Sequence, residues 1–435
     1  MPGMQDMNEA RSGPLEFVSV ALRASAAEAG KARPRIRRSD LTIRPLRSAA
    51  SVAACRRGPL ESYPRGSTTT SAAVSVGQLA RVEAAAYQYL SRVIAKQGLQ
   101  TVASFDALFT KKVPQAGLRQ AILQKLGVDI GFDASSECFS SMLAAKLLPP
   151  CHRAASLALC EAITPHFKES HWQLRYRMFQ TPGIFAADTD CSSVALAALY
   201  QSGDLSGADL CRGGIELLKS AASETLSAAQ NIDPDTGSSN GPLHEGVVMT
   251  YWEDGAEPGV KPRGRKHDPA VACNALFALK LAVREGLTDP AGVIHETMKY
   301  VERHLVSGEY RNGTRYYPSP DVFLCYVGQL CAHFDDCRAR LGPALLAALR
   351  DRNRSASQPG RPDDPDTALN LAQRILTANL LGVELGQAGQ KARLIHMQEP
   401  SGAWGPSPLF SLGKRAVYFG SAALTTVFVL AALQS

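Results

Sequence analysis

Two aspartates separated by one residue stand directly before an apolar helical run, in the stretch Asp188-Thr189-Asp190-Cys191-Ser192-Ser193. Asp and Ser at such a position ordinarily cap the helix, because their oxygens accept hydrogen bonds from the unpaired backbone N–H groups of the first turn. A carboxyl that is buried there is instead held protonated, since burial raises its pKa, and it can serve as a general acid. The pattern alone leaves a helix cap, a pair of metal ligands and a proton donor open.

The elements that must position these acids are helices. Helical patterns fill most of the chain after residue 76, and strand-type alternation is nearly absent. Segments rich in Ala, Leu and Val, apolar all round, occur beside more amphipathic ones. Ten or more such helices predict an all-α fold, an α/α toroid in which inner helices enclose a pocket and outer helices cover them. Loop 230–269 is the longest break and is expected at the pocket rim.

The positive charge of the chain lies in its N-terminal segment. The formal net charge is +7, and residues 1–75 hold 12 Lys or Arg against 6 Asp or Glu. Ala, Arg, Ser and Pro dominate this segment, which predicts a disordered basic tail over 1–76 and a folded domain over 77–435. Because the folded part is close to neutral, no nucleic-acid partner is expected.

Cysteine usage and one apolar run bear on the compartment. The ten cysteines form no CxxC pair, which predicts reduced thiols and a cytoplasmic protein. Residues 416–434 carry no charge and are long enough to span a bilayer. A helix that is apolar all round is also what an inner position of a toroid requires, and this interpretation is favoured. Peripheral membrane association stays open, and the oligomeric state is not predicted.

A short motif near the C-terminus carries a family resemblance. The stretch Gln398-Glu399-Pro400-Ser401-Gly402-Ala403-Trp404 has the pattern Q-x3-G-x-W. It resembles the QW repeat of squalene-hopene cyclases and related triterpene cyclases, in which the Gln caps a helix end and the Trp stacks over it. The resemblance implies a class II terpene cyclase with a β-domain-like barrel and extra N-terminal helices.

The opening aspartates match the same family. Class II terpene cyclases carry D-x-D-D-T or D-x-D-T-T, and the central acid is the proton donor. On this resemblance Asp190 is the general acid and Asp188 its supporting acid, while Cys191 departs from the family pattern. His267 is the candidate cationic partner that would stabilise the carboxylate after proton transfer.

The length of the folded part accommodates one barrel, which implies a linear isoprenoid shorter than squalene, such as farnesyl or geranylgeranyl diphosphate. Cations for the diphosphate are expected from the basic loop, with Mg²⁺ held by an acid beside it. The head-group candidates are Lys261, Arg263, Arg265, Lys266, Glu253 and Asp254. Aromatic faces must shelter the carbocation through cation–π attraction. The candidates for this wall are Trp252, Tyr316, Tyr317, Phe323, Tyr326, Tyr418 and Phe419.

Other proteins built on a toroid leave alternatives open. Zinc-dependent prenyltransferase-like proteins bind metal through Asp-x-Cys and a later His, for which Asp335, Cys337 and His396 are the candidates. Glycoside hydrolases place paired carboxylates on such a toroid, although their clefts need more polar inner helices. A non-catalytic helical-repeat or scaffold protein is the third alternative.

Overall fold

The computed structural model describes residues 75–97, 99–114, 117–131, 137–148, 153–180, 185–233, 237–253, 259–260, 263–356, 366–413 and 415–434. Nearly all of the tail predicted over 1–76 lies outside the described residues. So do Asp254 and Lys261 of the predicted head-group site.

Helices form most of the described chain, which confirms the prediction of a mainly helical fold. In chain order they are α1 (Val76–Gln97), α2 (Leu118–Leu126), α3 (Phe139–Leu147), α4 (Arg153–Ile163), α5 (Pro165–Lys168), α6 (Thr189–Ser202), α7 (Gly207–Leu218), α8 (Pro269–Arg284), α9 (Val293–Ser307), α10 (Pro320–His333), α11 (Asp335–Ala356), α12 (Ala368–Leu381), α13 (Gln387–His396) and α14 (Ala422–Gln434). A 3₁₀ turn, Glu309–Asn312, follows α9.

Within the described residues, six of these helices contact one another in a closed order. The order is α3, α6, α8, α10, α12, α14 and back to α3. Their side chains are buried on every face: all residues from Thr189 to Leu199 of α6 and from Ala423 to Leu433 of α14 are buried. Helices of this kind need neighbours on all sides, because no face is suited to water.

The remaining long helices cover this ring from outside. α7 packs on α6 and α8, α9 on α8, α11 on α10 and α12, and α13 on α12, while α1 and α4 contact α14 and α3 respectively. These helices bury one face only. In α9, for example, the buried residues Val293, Thr297, Val301 and Leu305 recur every four positions, as an amphipathic helix requires.

Within the apolar run 416–434, residues 422–434 form α14 and residues 418–420 form a short strand. α14 lies between α12 and α3 in the ring. This outcome agrees with the inner-helix interpretation of residues 416–434. Among the helices that the structure describes, none is long and apolar enough to cross a membrane.

Short strands were not anticipated from the sequence. β1 (Val102–Ser104), β2 (Lys112–Pro114), β5 (Phe410–Ser411) and β6 (Tyr418–Gly420) form an antiparallel sheet in the order β2-β1-β6-β5, and β3 (His171–Trp172) pairs with β4 (Arg175–Tyr176). Val102 lies opposite Gly420, where a Cβ would stand 2.1 Å from the carbonyl oxygen of Ser407. Strands of two or three residues are too short for side-chain alternation to reveal them.

The segment 398–404 fastens helices together. The side-chain amide of Gln398 donates to the carbonyl of Val82 in α1 at 2.9 Å. The buried indole N–H of Trp404 donates to the carbonyl of Leu394 in α13 at 2.7 Å, and its backbone N–H donates to the Thr426 hydroxyl in α14 at 3.2 Å. One turn therefore links two outer helices to an inner one.

Candidate active site

The predicted acids lie where α6, α8 and α10 begin, and backbone hydrogen bonds hold these three starts together. The N–H of Thr189 donates to the carbonyl of Thr250, whose own N–H donates to the carbonyl of Lys266, just before α8. The N–H of Tyr316, before α10, donates to the carboxylate of Asp268 at 3.1 Å. Asp268 in turn caps α8, accepting from Ala270 at 2.8 Å.

Asp188 is a helix cap. Its backbone is extended, with φ −133° and ψ 157°, and its Oδ1 accepts from the N–H of Cys191 at 2.7 Å. Ser192 donates its hydroxyl to the carbonyl of Asp188 at 2.6 Å. Burial, and then the nearby charge of Asp190, raise the pKa of Asp188 to about 7. The capping alternative is therefore the geometry of the first acid of the pair.

Asp190 is buried and makes no cap. Its Oδ1 accepts from the amide Nδ2 of Asn274 at 2.8 Å, and its Oδ2 accepts a short hydrogen bond from the hydroxyl of Tyr317. Burial raises the pKa of Asp190 to about 6, and these two hydrogen bonds oppose the rise because they stabilise the ionised form. Burial thus raises the pKa of both acids, and Asp190 has two side-chain donors ready for its carboxylate.

Lys146, Tyr251 and Tyr316 are half-buried side chains close to the paired acids. The charge of Asp190 acts on Lys146, and that of Asp188 acts on Tyr251 and Tyr316. The Lys146 ammonium donates to the side-chain oxygen of Asn274 at 3.3 Å, which connects it to Asp190.

His267 is not the cationic partner expected from the sequence. Its Nδ1 donates to the carbonyl of Val248 at 3.0 Å, and its Nε2 accepts from the N–H of His244 at 2.9 Å. Burial lowers the pKa of His267 to about 4, so the ring is neutral near pH 7. Both nitrogens serve the backbone of loop 230–269, and the groups bonded to Asp190 are Asn274 and Tyr317.

Part of the predicted aromatic set forms a continuous row beside Asp190. Tyr326 packs edge-on against Tyr317 at 5.6 Å between ring centroids, and Tyr317 lies 6.5 Å from Phe139. Phe139 packs edge-on against Phe410 at 6.0 Å, and Phe410 stacks on Phe419 at 4.9 Å. Phe139 and Phe410 were absent from the sequence-based set.

Other predicted aromatics serve different contacts. The indole N–H of Trp252 donates to the carbonyl of Glu216 in α7, and the Arg175 guanidinium lies 4.6 Å from the Trp252 ring. Phe323 packs edge-on against His304 of the outer helix α9 at 4.9 Å. Both rings therefore face outer helices, which corrects their assignment to the wall near Asp190. Tyr418 is half-buried on β6.

The basic loop divides into two parts. Arg265 forms ion pairs with Glu224 and Glu253, at 2.7 and 2.8 Å, and so is already neutralised. Lys266 is partly buried, and burial together with the charge of Arg315 lowers its pKa to about 8. The guanidinium of Arg263 lies 4.2 Å from the ring centroid of Phe185.

Lys266 belongs to a cluster of mainly cationic side chains, whose charges act on it. They are Arg315, Asp233, Arg263 and Arg415. Three of these four charges are positive, so Lys266 stands in a region of excess positive potential. Arg315 and Arg415 are outside the basic loop and were not predicted from the sequence.

Among the described residues, which do not include Asp254, the predicted magnesium and zinc ligands do not come together as a set. The carboxylate of Glu253 is held by Arg265 and by the hydroxyl of Ser223 at 3.0 Å, so it does not offer Mg²⁺ a free set of oxygens. The Cys337 thiol is buried, which raises its pKa to about 12 and opposes binding of zinc as a thiolate. Over the described residues, no three His, Cys, Asp or Glu side chains gather as metal ligands.

Comparisons with known proteins agree with the sequence resemblance. The chain is 28% identical to drimenol cyclase drtB of Aspergillus calidoustus over 189 residues, which are 43% of this chain and 31% of that protein. The match therefore spans about a third of the length of this curated relative. No protein-family model matches the chain.

Solved structures match over most of the chain. Type II terpene cyclase MstE from Scytonema superposes with a TM-score of 0.51 and 12% identity, covering 83% of this chain and 98% of MstE. The fold of this chain is therefore similar to that of this type II terpene cyclase. A protein from Actinoplanes gives a TM-score of 0.51 at 14% identity, covering 82% and 98%. An MstE variant in complex with merosterolic acid A, its product, gives 0.51 at 13% identity, covering 82% and 96%.

Two polar residues of the site were missed by sequence reasoning, although a signal was present. Asn274 stands in the middle of α8, and Lys146 near the end of α3, each among Ala, Leu and other apolar residues. A polar side chain in a helix buried on every face needs a polar partner. Such residues could have been picked out as candidates to face Asp190.

Proposed function

We propose that this protein is a class II terpene cyclase in which Asp190 protonates an alkene of a linear isoprenoid. The O–H bond of Asp190 breaks, and a C–H bond forms at the less substituted alkene carbon, which leaves a carbocation at the more substituted one. Other alkenes of the chain then attack this cation and close the rings. Loss of a proton or capture of water ends the reaction.

The observation that carries the proposal is the setting of Asp190. Its carboxyl is buried, and burial raises its pKa to about 6, so that it is largely protonated only below this pH. Tyr317 and Asn274 hold donors at both carboxyl oxygens, ready for the negative charge that develops during proton transfer. An acid prepared in this way meets the two needs of alkene protonation, a proton in place and a stabilised conjugate base.

The packing of the helices supports an α/α toroid of the terpene cyclase β-domain type. The closed order of α3, α6, α8, α10, α12 and α14 with outer helices around it is the arrangement of such a barrel. The contacts made by Gln398 and Trp404 match the fastening role of a QW repeat. α2 contacts β2 and is not among the helices that cover the ring, which supports the expectation of extra N-terminal helices.

The aromatic row is proposed as the wall that shelters the cation. Ring faces attract a carbocation through their quadrupoles and offer it no nucleophile. Because Tyr317 belongs both to this row and to the hydrogen bonds of Asp190, the cation forms within reach of the row. The complex of the MstE variant with merosterolic acid A supports an isoprenoid substrate for this fold.

A prenyl diphosphate such as farnesyl or geranylgeranyl diphosphate is the proposed substrate. Its head group would be bound by the cationic cluster of Arg263, Lys266, Arg315 and Arg415, since phosphate oxygens accept charge-assisted hydrogen bonds from such groups. The charges of Arg315 and of Asp188 both act on Tyr316, next to Arg315 in sequence, which supports a head-group site near the paired acids. Because Glu253 is engaged by Arg265, no step is assigned to magnesium.

Product analysis tests this function. Purified protein is incubated with farnesyl diphosphate, geranylgeranyl diphosphate or squalene, treated with phosphatase, and extracted for mass spectrometry of the alcohols and hydrocarbons. We expect a cyclic product with one of these substrates, and none with Asp190→Asn. Asp289→Asn, at the cap of outer helix α9, is the matched control and should retain the product. A folded wild-type protein that leaves all three substrates linear would overturn the proposal.

A further inference from the structure

The amide of Asn274 bridges Asp190 and Lys146. Its Nδ2 donates to Asp190 Oδ1 at 2.8 Å, and its Oδ1 accepts from Lys146 Nζ at 3.3 Å. Lys146 belongs to α3 and Asn274 to α8, which are separated in the ring by α6. The lysine side chain therefore reaches past α6, and its ammonium also lies 4.1 Å from the ring centroid of Phe277.

An asparagine amide can present either of two opposite chemistries to a carboxyl group. Its N–H donates and stabilises the ionised carboxylate, whereas its carbonyl oxygen accepts and stabilises the protonated acid. An ammonium has donors only, so a lysine beside the amide fixes the oxygen toward itself. The remaining N–H group must then point at Asp190.

We propose that Lys146 is a positioning residue for proton transfer: it orients the Asn274 amide so that this amide donates to Asp190, and its charge supports the carboxylate that forms. The inference deepens the proposed cyclase function and depends on it. When the O–H bond of Asp190 breaks, the carboxylate finds the Asn274 donor already aligned, with a positive charge behind it. No proton leaves Lys146 in this step.

Burial and charge agree with this role. The ammonium of Lys146 is enclosed by protein, and burial lowers its pKa to about 8 while the charge of Asp190 opposes the fall. Lysines are retained in such places when their charge is compensated. The titratable groups that act on Asp190 or Lys146 from the surrounding elements are Asp188, Cys191, Asp268, Tyr317, Tyr326, Cys273, Cys325 and His333.

The first test is Lys146→Met, measured as kcat and KM against pH. With the lysine removed, the amide can turn its oxygen toward Asp190, which makes the acid weaker and keeps it protonated to higher pH. We expect the low-pH plateau of kcat to fall ~10-fold or more, with KM nearly unchanged. The pH at which activity declines should move upward. A residue that only stabilised the fold would not lower the plateau and raise this pH together.

The control replaces a lysine outside the site, and the rescue replaces Lys146 with another cationic residue. Lys280→Met removes another partly buried lysine, which pairs with Asp336 at 2.6 Å and lies over Phe334, and it should leave the pH profile unchanged. Lys146→Arg keeps a permanent charge and only donors, so it should restore most of the plateau. It also reports on the site if Lys146→Met folds poorly.

A double-mutant cycle with Asn274→Ala completes the test. If Lys146 acts through Asn274, replacing the lysine in the Asn274→Ala background should change kcat less than about 2-fold. An equal effect of Lys146→Met in both backgrounds, or a normal pH profile in the single variant, would refute this role while leaving the cyclase function intact. Absence of cyclic product from the wild type would instead remove the function itself.

Discussion

Two buried aspartates occupy the same local position in two ring helices, but their side chains bind different partners. Asp190 is the second residue of α6 and Asp321 the second residue of α10. Asp321 accepts from Arg352 through both oxygens, at 3.0 and 2.9 Å, and contacts Arg374 at 3.3 Å. Asp190 receives only neutral donors, a hydroxyl and an amide, with its nearest cation one side chain further away.

The difference teaches how one position becomes structural and another chemical. The carboxylate of Asp321 has both oxygens engaged by guanidinium groups in charge-assisted hydrogen bonds. The carboxyl of Asp190 has only neutral donors in a buried site, and burial raises its pKa. The choice of partners therefore separates the ion pair of Asp321 from the general acid proposed at Asp190.

The largest effects are expected from Asp190→Asn and Asp321→Asn, and they should be opposite in kind. Asp190→Asn should lower turnover by ~10³-fold because the proton donor is lost, while the folded state persists. Asp321→Asn removes the carboxylate that the buried guanidinium groups of Arg352 and Arg374 share, although Arg374 keeps its ion pair with Asp366, and it should lower the free energy of unfolding by about 3–5 kcal/mol. Product formation at low temperature and urea unfolding measure the two. Equal loss of activity per folded molecule in both variants would erase the distinction.

Tyr317→Phe sharpens the comparison by removing one of the two neutral donors. Activity requires protonated Asp190, so it should decline as pH rises through about 6. Without the Tyr317 hydroxyl the carboxylate is less stable, and this decline should shift to higher pH while kcat at low pH falls about 10- to 100-fold. Tyr310→Phe is the matched control, since this buried tyrosine lies on the 3₁₀ turn after α9, outside the aromatic row. A pH profile unchanged in Tyr317→Phe would contradict the role.

The free energy of unfolding should depend on pH because the pKa of Asp190 rises on folding. The pKa of Asp190 rises from its model-compound value of 3.8 to about 6 on folding, so between these pH values the folded state binds a proton that the unfolded state has released. The unfolding free energy should therefore decrease as pH rises from 4 through 6, by ~2 kcal/mol from this group. Urea titrations at pH 5 and 8 should show a smaller decrease for Asp190→Asn. Parallel curves for the two proteins would rule this out.

The smallest effect is expected at the cap. Asp188→Asn keeps a side-chain oxygen for the N–H of Cys191, so thermal unfolding should change little. Asp188→Ala loses this acceptor and should lower the free energy of unfolding by about 1 kcal/mol. If Asp188→Asn abolished turnover as completely as Asp190→Asn, the division of labour within the pair would have to be abandoned.

The helices and the acid could be predicted from the sequence because their signals are local. Apolar runs, capping residues and the Asp188–Asp190 spacing each lie within a few consecutive residues. These signals gave the mainly helical fold and the buried C-terminal helix. They did not reveal the short strands. Two of these strands, β1 and β6, pair although they are more than 300 residues apart in sequence.

The partners of the acid could not be predicted, because they depend on which helices become neighbours. His267 is one residue from the start of α8 and looked suited to the role, but its ring turns toward Val248 and His244. Asn274, two turns further along the same helix, takes the place next to Asp190. The head-group prediction for the basic loop was incomplete for the same reason. Arg265 forms ion pairs with two acids, whereas the charges of Arg315 and Arg415 act on Lys266.

The closure of the ring has a consequence for how the chain matures. α14 completes the circle by packing between α12 and α3, although α3 is made almost 300 residues earlier. Asp190, Asn274 and Tyr317 can assemble before that point, but the wall around them stays open until the last ring helix has been synthesised. Contacts of such long sequence separation form late and slowly. We therefore expect a nascent chain that stops before α14 to leave Asp190 open to water, so that it could not carry out the proposed cyclisation.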